Sequence, residues 1–530
     1  MWKKGWRDKT WSEINQPWDV LVIGGGITGA GILRESQRAG MQTLLVEAGD
    51  FASGTSSRSS KLVHGGFRYL RNAQISLTKK SVRERERLIK EGRGLVNPMG
   101  ILLLNYDGDA IPGWMFGLGL VVYDFLASKW GHRHYDALDM RELCPAANPD
   151  RLTGGFRYFD AQTDDARLVL RVIQESVREG AVALNYARVE KLLKLRDGRV
   201  CGILLRDLSP EGQGRYQEIN SQVVVNATGA WADDLRQQVG GTSRLRKLRG
   251  SHILIPFSRL PLTRSVSFLH PQDARPVFTV PWESLTLVGT TDVDHKDAMS
   301  SDPAISAYEV DYLLQAVQFA FPCLELSHTD IQSTFSGIRP VIDTGKTDPS
   351  KESREHIMWD ENGLLTVSGG KLTTFRLMAQ DALEKLRKYL PGDVRFVPNQ
   401  RILNPLPENI PRLYGLSAAA QLRLSGRHGA QIIPLIEGAR VDELENIGDT
   451  PQLWAELRWA ARSEAVVHLD DLLLRRVRLG LLLPAGGIPI MNHIRSIAQP
   501  ELGWDDRRWQ VEEECYQKLW QASYGLNSIN

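Results

Sequence analysis

Cysteine is scarce in this chain of 530 residues: the four present, Cys144, Cys201, Cys323 and Cys515, are far apart and in no CxxC spacing. That excludes a disulfide framework, a thiolate zinc site and an iron–sulfur relay, and it suits reduced thiols in a cytosolic compartment. An excess of one charge is also missing, since 65 Lys and Arg face 63 Asp and Glu, a formal net charge of +2. Nucleic acid as the main partner would need a basic stripe, so that class is set aside. The longest apolar run, WMFGLGLVVYDFLA at 114–127, is interrupted by Asp124 and falls short of the ~20 residues of a spanning helix. The N-terminus has no apolar signal core. His132 and His134 lack further ligands at metal spacing, so no metal is expected. Repeats and low-complexity tracts are absent. What is left is an ordinary globular composition, 42% hydrophobic and 24% charged, long enough for about three structural units.

The first unit has βαβ grammar. A short apolar run at 19–23 stops at Gly24-Gly25-Gly26, a helix is predicted over 27–38, and a second strand at 41–46 ends in Glu47. Gly24-x-Gly26-x-x-Gly29 between strand and helix permits a tight turn and lets backbone N–H groups approach a pyrophosphate at the helix N-terminus. Glu47, about 20 residues on, can accept hydrogen bonds from a ribose diol, which favours NAD or FAD over NADP. A charged helix follows over 76–95. An amphipathic helix begins at Asp164, and strands are predicted near 182–189, 200–207 and 216–226. Several short strand-like runs between 250 and 291 suggest an inserted antiparallel sheet. A helix over 308–321 and a strand entering a helix at Gly369-Gly370 complete the second half. From about 399 the strand signals fade into helices. The predicted architecture is α/β: a Rossmann-like dinucleotide domain interleaved with an antiparallel-sheet substrate domain, plus a helical C-terminal domain. The boundaries drawn are 1–18 for a basic Trp-rich segment, 19–80, 150–250 and 330–398 for the cofactor domain, 81–149 and 250–330 for the substrate domain, and 399–530 for the helices.

Two further stretches have the chemistry of a cofactor site. An apolar strand runs into Ala227-Thr228-Gly229, where small residues let a cofactor lie close. The run GTSSRSSKLVHGGFRYL at 54–70 places Thr55, Ser56, Ser57, Ser60 and Lys61 before Gly65-Gly66. Such a segment can hydrogen-bond a diphosphate and then pass a planar ring; the plain alternative is a polar loop feeding the next helix.

These motifs come in a recognisable order. GTSSRSSKLVHGGFRYL, DDARL, NATGAW, GSH at 250–252, GTTD at 289–292, SGIRP at 336–340 and GGKLTT at 369–374 resemble the FAD-dependent glycerol-3-phosphate dehydrogenases. The resemblance covers 19–390 and continues more weakly into DDLLLRRVRLGLLL in the tail. It implies an FAD enzyme that oxidises sn-glycerol 3-phosphate to dihydroxyacetone phosphate by hydride transfer to flavin N5. Electrons then pass to a membrane quinone, from a protein held peripherally on the cytoplasmic face; a homodimer stays open. The implied flavin contacts are Gly24, Gly25, Gly26, Gly29, Glu47, Thr55, Ser56, Ser57, Ser60, Lys61, Val189, Ala227, Thr228, Gly229, Gly370, Lys371, Leu372 and Thr373. Arg68, Tyr69, His252, Arg339 and Lys371 are the implied substrate residues.

The same residues suit the chemistry. A phosphorylated alcohol carries nearly two negative charges and needs Arg and Lys held by the fold; Arg68, Arg339 and Lys371 each adjoin a tight turn. His252, with an ordinary pKa near ~6.5, is the candidate base, with His64 a second. Arg339 or Lys371 could instead stabilise the developing alkoxide. Rival functions are an oxidase that reduces oxygen to hydrogen peroxide, a flavoenzyme for another small alcohol or amine, and a flavin-binding regulatory protein without turnover. For membrane contact the sequence offers two segments: Trp2, Trp6, Trp11 and Trp18 among Lys3, Lys4, Arg7 and Lys9, and the apolar run 114–127. The plain alternatives are a docked N-terminal helix and a buried core helix.

Overall fold

The computed structural model describes residues 2–67, 75–127, 130–299, 302–345, 355–390, 400–408, 410 and 416–526. Two sheets organise the molecule. In the first, Trp18–Ile23 lies between Thr43–Val46 and Tyr216–Asn226, with Val182–Leu184 and Leu364–Ser368 outside them, all parallel. Alternation along the central strand sends Val20 and Val22 to one side and Leu21 and Ile23 to the other. The first side is covered by the helices Ile27–Arg38, Asp165–Arg178 and Phe375–Leu386. The second meets an antiparallel ribbon, Ala187–Lys194 with Val200–Asp207, and the N-terminal helix Trp6–Glu13.

That helix settles the first membrane candidate. Trp2, Trp11 and Trp18 are buried: Trp2 packs on Phe51, the Trp18 indole donates to the Ile14 carbonyl, and Arg7 is paired with Asp207 at 2.6 Å. The Trp-rich segment is a docked part of the domain.

The second sheet is mostly antiparallel and follows the order Ser333–Ile342, Leu245–Pro256, Leu285–Gly289, Pro276–Trp282, Ser265–Leu269, Val96–Tyr106, Leu152–Thr163, Leu62–Val63, with the short strand Val293–Asp294 beside Leu248 and Arg249 on the edge that Leu285–Gly289 shares. Two strands that the sequence boundaries assign to the cofactor domain, Leu152–Thr163 and Ser333–Ile342, belong here, so the domains interleave more finely than predicted. Helix Ala307–Ala320 covers the outer face of the sheet, starting at a Ser306/Glu309 capping box. Among the described residues, 416–526 are helices and turns joined by one isolated bridge, and they pack on Leu254, Trp282, Leu287 and Phe335 of this sheet.

Candidate active site

The cradle begins with a collision that only glycine avoids: a Cβ on Gly29 would sit 1.9 Å from the Gly24 carbonyl oxygen, so the helix can press against the strand end only without one. Glu47 then ties the turn together, one carboxylate oxygen accepting from the Gly25 N–H at 2.6 Å and the other from Gly49 at 2.8 Å. The loop after it is fastened to the helix start, because the Ser56 hydroxyl accepts the Ile27 N–H at 2.9 Å. Thr55 donates to the Ile338 carbonyl on the second sheet. On the facing strand, buried Asn226 shapes the turn by accepting from the Thr228 hydroxyl at 2.7 Å.

These pieces line one cavity of about 1970 Å³. Of the predicted residues, Gly24, Gly26, Glu47, Thr55, Ser56, Ser60, Val189, Ala227, Thr228, Gly229, Gly370, Lys371, Leu372, Thr373 and Arg339 are in its wall. Gly25, Gly29, Ser57, Lys61 and His252 stand behind it. Arg68 and Tyr69 lie outside the described residues. Residues that the sequence did not single out also line it, among them Arg58, Ser59, Arg275, Thr290, Asp292 and Ser368. Arg58, Ser59, Thr290 and Asp292 fall inside the motifs at 54–70 and 289–292, their only signal in the sequence.

Arg339 leaves its strand and crosses the second sheet. Its guanidinium donates to the Thr290 hydroxyl at 2.8 Å and lies 3.5 Å from the Asp292 carboxylate. A Cβ on Gly250 would meet that guanidinium at 2.3 Å, so the glycine of the GSH motif leaves the arginine its path. Lys371 precedes the turn Leu372–Thr374, just after two glycines at φ +76° and +75°, and its ammonium lies 3.4 Å from the Ser81 hydroxyl. His64 lines the wall and gives its carbonyl to the Thr373 hydroxyl at 3.1 Å.

The two basic residues behind the wall need correction. His252 is fully buried, stacked on Phe335, and reaches the cavity through Ser60, whose hydroxyl is 2.9 Å from Nε2. Burial, reinforced by the Arg339 and Lys61 charges, pushes its pKa well below the ordinary value, so the ring is neutral. The expectation of an ordinary imidazole facing substrate fails: His252 is a covered neutral ring. Lys61, expected on the cofactor, is also fully buried; its ammonium is held by Asp165 at 2.8 Å and the Ser57 carbonyl at 2.7 Å, over the Phe335 ring.

The other end of the cavity is apolar. Its wall includes Phe67, Ile101, Leu103 and Tyr158, and also Met115, Phe116, Gly119 and Val122 from helix Gly113–Ala127. The outward face of this helix is apolar too: Trp114, Leu118 and Phe125 are 66, 60 and 78% exposed, Leu118 standing at the rim of the cavity. With Val121 they follow 4, 3, 4 spacing, one continuous stripe. Leu120, Tyr123 and Asp124 point inward. No described helix is long and apolar enough to cross a membrane.

A glycine-built anion cradle, an acidic residue ending the second strand, and an antiparallel sheet closing over the cavity define an oxidoreductase that binds a dinucleotide. Comparison with known proteins agrees. The family described as FAD dependent oxidoreductase matches residues 19–376, and the C-terminal domain of alpha-glycerophosphate oxidase matches 387–509. The aerobic glycerol-3-phosphate dehydrogenase of Staphylococcus haemolyticus is 34% identical over 487 residues, 87% of each chain, and that of Staphylococcus aureus 33% over 488 residues, also 87% of each. The solved structure of the Bacillus halodurans glycerol-3-phosphate dehydrogenase complexed with FAD superposes with a TM-score of 0.76 at 29% identity, covering 98% of both chains. An FAD-bound L-alpha-glycerophosphate oxidase from Mycoplasma pneumoniae shares the fold at 17% identity, with a TM-score of 0.57 over 74% of this chain and 99% of its own. The chain belongs to the FAD-dependent glycerol-3-phosphate dehydrogenases, and its cofactor is FAD. The Gly29–Gly24 contact, and the tight spot at Gly26 where a Cβ would meet the Ser56 hydroxyl at 3.1 Å, fit a backbone cradle for that cofactor's pyrophosphate.

Proposed function

We propose that the enzyme oxidises sn-glycerol 3-phosphate to dihydroxyacetone phosphate and passes the electrons to a quinone dissolved in the bilayer. The observation that supports this most is the single cavity that joins the dinucleotide cradle to Arg339 and Lys371. Bound in the cradle, FAD supplies the hydride acceptor. Arg339 and Lys371 hold the substrate phosphate; Arg339 is aimed by Thr290 and balanced by Asp292. The Ser60 hydroxyl, 2.9 Å from the His252 Nε2, is placed to hydrogen-bond the C2 hydroxyl, and the positive field of Arg339 and Lys371 favours loss of its proton.

The acceptor follows from the other end of the cavity. Helix Gly113–Ala127 is 15 residues long, about 22 Å, too short to span a bilayer but able to lie in the interface with its apolar stripe down. A soluble protein seldom exposes such a stripe without a partner. A lipid-borne quinone could meet the apolar wall from that side, and this favours quinone over oxygen. Anaerobic titration of the yellow protein with sn-glycerol 3-phosphate tests the reading. Bleaching near one equivalent, with reoxidation by quinone faster than by air, is the expected result; a flavin that stays oxidised overturns the substrate.

A further inference from the structure

Thr55 and Ser56 fasten the front of the loop 54–61 to the second sheet and to the helix start, but neither holds its second half. Its ordered core is one short turn, Thr55–Ser57, and ladder pairing begins only at Leu62–Val63. Yet Thr55, Ser56, Ser59 and Ser60 all line the cavity, so the shape of the loop sets the shape of its wall. The loop is gripped from behind by Asp165, the first residue of helix Asp165–Arg178 and fully buried. One of its oxygens accepts the Ser59 N–H at 2.9 Å and the Ser59 hydroxyl at 2.7 Å. The other accepts the Lys61 ammonium at 2.8 Å.

Asp165 stands beside Asp164, also buried, and two adjacent buried carboxylates need cations. The C-terminal domain supplies them. Arg478, buried and at φ +62°, pairs with Asp165, holds Asp164 at 3.0 Å, and points a third nitrogen at the Ser57 carbonyl, 3.4 Å away. Arg427, from helix Ala418–His428, also holds Asp164 at 2.9 Å, but its other partners are Glu283 and Glu456, away from the loop. A second grip runs parallel: Arg475 and Arg476 enclose buried Asp50 at 2.5 and 2.6 Å, three residues beyond Glu47.

We propose that Arg478 of the C-terminal domain is a positioning residue for the flavin, holding the loop 54–61 in its FAD-binding shape through Asp165, Ser59 and Lys61. The proposal rests on the cofactor alone and is independent of the substrate and acceptor. Without Arg478 the paired carboxylates share Lys61 and Arg427, Lys61 is drawn toward Asp164, and the loop loses the contact that fixes Ser59.

Arg427 is the built-in control, since it neutralises the same pair at the same domain interface without reaching the loop. The experiment measures FAD dissociation by flavin fluorescence, and thermal unfolding of the apoprotein, in full-length variants. Arg478→Gln is expected to weaken FAD binding about tenfold or more, the scale of one lost charge-assisted bond, and Ser59→Ala about threefold. Arg478→Lys should recover part of the loss. Arg427→Gln should lower the apoprotein melting temperature as much as Arg478→Gln while leaving FAD affinity within about twofold. Equal weakening of FAD by Arg427→Gln and Arg478→Gln would show a general packing role and overturn the proposal, as would unchanged affinity in Arg478→Gln. If Arg478→Gln does not fold, Ser59→Ala decides: unchanged FAD affinity there also overturns it.

Discussion

The two ends of the cavity are built by opposite means. The cofactor end is made by backbone: four glycines within six residues, one carboxylate on two N–H groups, one hydroxyl on a helix start. The end that the proposed function gives to substrate and acceptor is made by side chains from distant segments, among them Arg339, Asp292 and residues of the helix Gly113–Ala127, all in the wall of the same cavity. A backbone site tolerates no added atoms but is indifferent to most side chains around it. A side-chain site fails one residue at a time.

The largest effect is therefore expected at the backbone end. In Gly26→Val the new side chain, starting 3.1 Å from the Ser56 hydroxyl, fills the space of the pyrophosphate. The purified protein should be colourless and take up no added FAD; a yellow variant would break the contrast. Arg339→Ala comes next. Losing two hydrogen bonds to a charged phosphate, each about 1.5–3 kcal/mol, should lower kcat/KM about 10²–10⁴-fold with flavin content unchanged. A variant that loses flavin as well would mean the two ends are not separable.

Sequence legibility divides along the same line. Helix Ile27–Arg38 has the predicted limits, and the cradle glycines and Glu47 stand where the spacing predicts, because turns and helix starts obey local rules. The segments Leu152–Thr163 and Ser333–Ile342 lie within boundaries drawn for the cofactor domain but are strands of the other sheet, because pairing partners up to about a hundred residues away leave no local mark. His252 sits in a motif, yet its burial depends on Phe335 and on Gly289, whose Cβ would strike its ring at 2.2 Å. The two Trp-bearing segments are the sharpest case. Both suit an interface by composition, but Trp2, Trp11 and Trp18 are inside and Trp114 is outside. Composition does not say which face is covered. The 4, 3, 4 spacing of Trp114, Leu118, Val121 and Phe125 predicts one shared face, but only the packing of Leu120 and Tyr123 shows that this face is left bare.

That stripe yields the third prediction. Trp114→Glu with Phe125→Glu removes two exposed apolar side chains outside the cavity wall, each contributing about 1.5–3 kcal/mol when buried, and adds two charges. Partition into anionic phospholipid vesicles should fall at least about tenfold, while FAD content and reduction of a water-soluble dye stay unchanged. Undiminished vesicle binding would move the membrane contact elsewhere.

The smallest effect lies behind the wall, where neither end should feel it directly. Burial, together with the nearby Arg478 charge, brings the Lys61 ammonium down to about 8, although Asp165 and Asp164 pull it back up. The groups facing it are Asp165, Asp164, Arg478 and His252, with Phe335 and Trp282 as its apolar walls. An unfolded lysine titrates near ~10.5, so between pH 8 and that value the unfolded chain binds more protons than the folded one. Stability from this group therefore rises with pH across that window: folding imposes a cost on the ammonium at lower pH, and the cost fades once the buried amine is neutral in the native state. Lys61→Met has no such term. Relative to that variant, the wild-type melting temperature should gain about 1–3 °C on going from pH 8 to pH 10, measured on the holoprotein. A constant difference across the range would mean that Asp165 keeps Lys61 charged throughout and that the loop rests on a permanent ion pair.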